Sequence, residues 1–148
     1  MINVTVACPY FLPREKTWNV AWPFPRRLPL GAGFCGTCTA GSEPVVPYDQ
    51  ELKDFCNLGY AKGCSRFPAD RSADAVRFAV AKHADNRIVL HYVSELAHAP
   101  VESGILEYDT ASQQWLVKHA NACIQRQAEC YVAGYLERKQ SAVDRVIR

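Results

Sequence analysis

The chain has 148 residues, 49% hydrophobic and 22% charged, which excludes wholesale disorder and bounds the fold to one domain or two small lobes sharing a core. Its 17 basic and 15 acidic residues leave a formal charge of +2, too balanced to indicate a nucleic acid or an anionic membrane as partner. No apolar run approaches the roughly 18 residues of a membrane span, and the first residues lack the basic and apolar regions of a secretory leader, so a cytoplasmic protein is expected.

Seven cysteines in a reducing compartment point to ligands, reactive thiols or buried hydrophobes rather than a disulfide framework, and the odd number fits poorly with full pairing. Composition shifts near Pro68. All but one of the prolines and all but two of the glycines precede Ala69, and every histidine follows it. A loop-rich first part and a more regular second part are expected.

In chain order, Ile2 to Ala7 alternates apolar and polar residues and predicts a short strand ending at Cys8-Pro9. From Trp18 to Leu30, Pro23, Pro25 and Pro29 forbid a helix and predict an extended arm with Trp18, Trp22 and Phe24 turned inward. A partner-binding groove lined by these aromatics is the sharper alternative. Gly31 and Gly33 precede Cys35, but no G-K-[ST] follows, which argues against a nucleotide site. Pro47 to Asn57 reads as a short helix with Leu52, Phe55 and Cys56 on one face and Gly59 as its stop. The loop beyond it swings Cys64 back toward Cys56.

Ala75 to Lys82 and Arg87 to Glu95 predict a β-hairpin around the turn residues H-A-D-N. Ile105 to Tyr108 supplies a third strand. Ser112 to Lys139 predicts one long helix with an apolar stripe of Leu116, Ala120, Cys123, Ile124, Tyr131, Tyr135 and Leu136, and Gly134 marks close packing on it. The expected fold is α+β. A cysteine-rich, loop-rich lobe with a short helix (residues 1–68) joins a three-stranded antiparallel sheet covered by a long C-terminal helix (69–148).

Cys123 and Cys130 lie about 10 Å apart at the helical rise, too far for a disulfide, and read as core. The other five are candidate metal ligands: Cys8, Cys35, Cys38, Cys56 and Cys64. Thiolate selects zinc, copper(I) or iron–sulfur clusters. Structural zinc draws on two tight cysteine pairs, and this chain offers only Cys35-x-x-Cys38. Dispersed cysteines, one of them before a proline, suit a [4Fe–4S] cluster held by Cys8, Cys38, Cys56 and Cys64, with Cys35 competing for the place of Cys38. Tyr10, Phe34, Phe55, Tyr60 and Phe67 would wall it from water.

A thiol–histidine pair is the main catalytic alternative, using His83, His91, His98 or His119, but no local nucleophile signature accompanies it. Asp70 and Asp74, and the group Glu102, Glu107 and Asp109, read as solvated faces. Arg26, Arg27, Lys62 and Arg66 would offset the charge of a thiolate-rich cluster or meet an acidic redox partner. The functional expectation is therefore an iron–sulfur protein with a redox, sensing or structural role and a redox partner protein. The alternative is a zinc-stabilised interaction module whose binding face is Trp18 to Leu30.

Overall fold

The computed structural model describes residues 6–17, 22, 28–58 and 64–147, with side chains through residue 143. Two antiparallel sheets and one long helix make up the architecture. The first sheet pairs β1 (Phe11–Lys16) with β2 (Phe34–Cys38). A short helical segment follows, an α-turn α1 (Asp49–Glu51) running directly into a π-helical turn (Leu52–Cys56). The second sheet is a meander in the order β3 (Ala75–Ala84), β4 (Arg87–Leu96), β5 (Ala99–Asp109) and β6 (Gln114–Val117). The helix α2 (Ala122–Ile147) closes the chain.

Four strands in the second sheet overturn the expected three. Residues 114–117 were assigned to the start of the long helix, yet Trp115 pairs with Tyr108 across β5 and β6, their rings 5.1 Å apart. Leu116 and Ala120 are thus exposed residues outside the helix. Asn121 sets the true start. Its side-chain Oδ1 accepts the amides of Cys123 at 2.9 Å and Ile124 at 3.1 Å, the cap that the first helical turn requires. The first lobe, largely loop, also contains two strands, β1 and β2, that the sequence pattern does not announce. The strand expected at Ile2 to Ala7 falls mostly outside the described residues. Ala7 itself bridges Val76 through paired backbone hydrogen bonds of 2.8 and 2.9 Å.

The hairpin between β3 and β4 turns at Asp85 and Asn86, both with positive φ (55° and 62°), as such tight turns demand. On β4, Ile88 and Leu90 point inward while His91 is exposed, following the two-residue alternation of a strand. Ile88, Leu90 and Leu106 meet Ala128 and Val132 of α2 in one core cluster. A second cluster joins Ala7, Phe11, Leu30 and Leu52 to Val76 and Ile124, so residues from both sides of Pro68 share it. Gly134 faces the turn at residues 28–31, but a Cβ there would make only ordinary contact, 3.5 Å from the Leu30 carbonyl oxygen, so the approach does not demand glycine. Among the described residues no helix is long and apolar enough to cross a membrane.

Candidate metal centre

The pairing of β1 with β2 decides the fate of the Cys35-x-x-Cys38 pair. Side chains alternate along a strand, so positions three apart face opposite ways. Cys38 is buried and stands across from Phe11. Cys35 is half-buried on the other face, where its thiol donates to the Glu15 carbonyl at 3.4 Å. Between them, Gly36 lies so close to β1 that a Cβ would collide with the Leu12 carbonyl oxygen.

Cys8 begins the turn that enters β1. Its carbonyl accepts the Phe11 amide at 3.2 Å, and its own amide donates to the Cys56 carbonyl at 3.4 Å. Two carbonyls of this turn, those of Cys8 and Phe11, each accept from Gln127 Nε2 at 2.7 Å. Gln127 projects from α2, is fully buried, and leaves its Oε1 without a hydrogen-bond partner among the described residues. The adjacent Arg126 continues the clamp along β1, donating to the Pro13 and Arg14 carbonyls at 2.9 and 2.6 Å.

Cys56 ends the π-helical turn, a widened coil that recurs at functional sites. The Asn57 amide closes it onto the Leu52 carbonyl at 3.2 Å. The Asn57 side chain is buried and bonds three ways: Oδ1 accepts the Phe34 amide at 2.9 Å, while Nδ2 donates to the Phe34 carbonyl at 2.9 Å and the Leu52 carbonyl at 3.0 Å. Cys64 is half-buried, and its carbonyl accepts the Phe67 amide at 3.2 Å. The Phe67 ring meets Tyr10 edge-on at 5.6 Å, and the Arg71 guanidinium lies 4.5 Å over it.

These local arrangements bring Cys8, Cys38, Cys56 and Cys64 to the wall of one cavity, with Phe11, Phe55 and Phe67 beside them. Its volume is about 10 Å³, room for one water-sized sphere, so a group as large as an inorganic cluster would have to spread the four cysteines apart. Among the described residues no three Cys, His, Asp or Glu side chains converge as closely as a single bound ion requires. Burial pushes the Cys8 thiol up to about 12, reinforced by the nearby Cys38 and Cys64. Burial also raises Cys56, followed by the charges of Cys8, Cys38 and Cys64. Cys8 and Cys56 therefore resist ionising beside the other cavity thiols. A bound cation would reverse this, because metal binding proceeds through thiolates.

Of the five candidate ligands, Cys8, Cys38, Cys56 and Cys64 are brought together and Cys35 is turned away. Of the expected aromatic wall, Phe55 and Phe67 line the cavity, Tyr10 backs Phe67, and Phe34 packs in the adjoining core. Tyr60, Lys62, Arg26, Arg27, Trp18 and Phe24 lie outside the described residues, whereas Trp22 is half-buried against the core. Cys123 and Cys130 are buried, as expected, and Cys123 lies 3.3 Å from the Thr39 hydroxyl. His83 meets the Tyr135 hydroxyl at 2.9 Å, and His119 Nε2 meets Glu102 at 3.0 Å, each on the sheet-and-helix part of the fold. Sequence reasoning missed Phe11, Asn57 and Gln127. Gln127 did leave a signal, a polar residue set among apolar helix positions at Cys123, Ile124 and Tyr131. No family model, curated protein or solved structure matches the chain.

Proposed function

We propose that Cys8, Cys38, Cys56 and Cys64 hold an iron–sulfur cluster of the [4Fe–4S] type, and that the protein serves electron transfer or redox sensing in a reducing compartment. The carrying observation is that four thiols from four separate segments line one aromatic-walled cavity. An iron–sulfur cluster takes its thiolates from dispersed loops and is shielded by apolar neighbours, which distinguishes it from zinc held between two cysteine hairpins. A bound cluster would supply reversible one-electron chemistry. The chain's own contribution is to anchor Cys8 through Gln127, to fix Cys56 through Asn57, and to exclude water with Phe11, Phe55 and Phe67.

The test is iron, sulfide and zinc analysis with a visible spectrum on protein purified without oxygen. About four irons with matching sulfide, and an absorption bleached by dithionite, are expected. Cys38→Ser, Cys56→Ser and Cys64→Ser should each lose the bound iron, and Cys35→Ser should keep it. One equivalent of zinc in a colourless protein would replace this reading with the zinc-stabilised module. Iron retained in both Cys56→Ser and Cys64→Ser would remove the site.

A further inference from the structure

The mouth of the cysteine cavity carries one matched pair of charges. Arg66 Nε donates to Glu51 Oε2 at 2.9 Å and Nη2 donates to Oε1 at 3.4 Å. Both side chains line the cavity together with the four cysteines, and among the described residues no other charged side chain does so. Glu51 precedes Cys56 on the helical segment and Arg66 lies two residues beyond Cys64, so the pair spans the two cysteine-bearing stretches. Glu51 Oε1 also accepts the Tyr48 amide at 2.9 Å, and the guanidinium sits 5.9 Å over the Tyr48 ring. These contacts fix the position of both charges at the rim.

We propose that Glu51 and Arg66 bias the reduction potential of the bound cluster in opposite directions, and that their pairing at the rim cancels the two effects. The proposal rests on the iron–sulfur reading above. Reduction adds an electron to a group already made anionic by its four thiolates. A neighbouring cation favours the reduced state and a neighbouring anion the oxidised one. While the pair is intact, the two effects oppose each other. Removing one partner leaves the other uncompensated, only the width of the cavity from the sulfurs. The side chains are 32% and 18% exposed, so solvent screens the effect without abolishing it.

The experiment is a potentiometric titration of the parent protein and of Arg66→Gln, Glu51→Gln, the double variant and Arg66→Lys, each with reconstituted cluster at low ionic strength. Arg66→Gln should shift the potential to more negative values and Glu51→Gln to more positive ones. The double variant should return close to the parent, and Arg66→Lys should stay near it because the charge is kept. Both single shifts should shrink as salt shortens the Debye length. If the variants lose cluster more readily while their potentials match the parent, the pair is only a clasp between two loops and the proposal is overturned. Shifts of the same sign in both single variants overturn it as well. A parent protein that assembles no iron and sulfide overturns the underlying reading, a result distinct from an assembled cluster whose potential does not move.

Discussion

Asn57 pairs with Phe34 as one strand pairs with another, accepting its amide and donating to its carbonyl through a single side chain. This reciprocal contact fastens the segment carrying Cys56 to the strand carrying Cys38. Asn57→Leu removes all three side-chain hydrogen bonds and leaves the Phe34 amide and carbonyl buried without these partners. A loss of about 3 kcal/mol is expected, at roughly 1 kcal/mol or more per orphaned group. Urea denaturation of the metal-free protein checks it, and an unchanged midpoint would show that the contact carries no stability.

Gln127→Leu tests the corresponding anchor on Cys8. The Cys8 carbonyl keeps the Phe11 amide, but the Phe11 carbonyl loses its Gln127 donor. The variant also removes the buried Oε1 that lacks a partner, a partial compensation. A net destabilisation of about 1–2 kcal/mol follows. The more telling readout is iron retention during dialysis against chelator, which should fall relative to a helix variant of similar stability far from Cys8.

The thiols predict an alkaline weakness of the metal-free, reduced protein. Cys8 rises to about 12 from the ordinary 9.0, and Cys130 to about 11, so the fold favours their protonated forms. Groups raised in this way contribute stability that is complete below the unfolded value and is lost as pH climbs through the folded one. Stability should be insensitive to these thiols below about pH 9 and fall progressively toward pH 12, with Tyr10 adding to the same trend. Cys8→Ser should flatten the profile. Loading with metal runs the opposite way, because it must release protons, so affinity should strengthen as pH rises toward 9.

Ala97 and His98 form the turn between β4 and β5 with φ of 52° and 67°, a region that L residues other than asparagine and aspartate seldom occupy. Ala97→Gly relieves that strain, though glycine loses more freedom on folding. A net gain of about 0.5–1 kcal/mol is expected in thermal or urea unfolding. The Ala97 amide still donates to Asp74 Oδ2 in this variant, so a loss of stability would contradict the assignment of strain.

That turn also explains what was legible in the sequence. Asp85 and Asn86 announce a hairpin because their side chains tolerate positive φ, and the flanking stretches show partial alternation on one side and β-branched and aromatic residues on the other. Ala97 carries no such chemistry, and Pro100 argues against a strand. The first half of β5 was therefore invisible, although a register shift beside Glu95 lets it pair. β6 was lost to the helix because Leu116 and Ala120 extend a helical spacing that the Asn121 cap cuts short. Dispersed spacing points to Cys8, Cys56 and Cys64, with Cys38 favoured over Cys35. The geometric reason that separates Cys35 from Cys38 is not legible there, since it depends on the intervening residues being a strand. Asn57 escaped notice because a side chain that bonds to a distant backbone leaves no periodic trace, whereas Gln127 betrays itself only as a polar residue on an apolar helix face.

Cys8 is anchored by a residue 119 positions further along the chain. All four cavity cysteines precede that helix in the chain, so during synthesis they emerge before the residue that fastens the Cys8 turn. A product truncated before residue 122 would carry all four thiols without the helix that holds this turn.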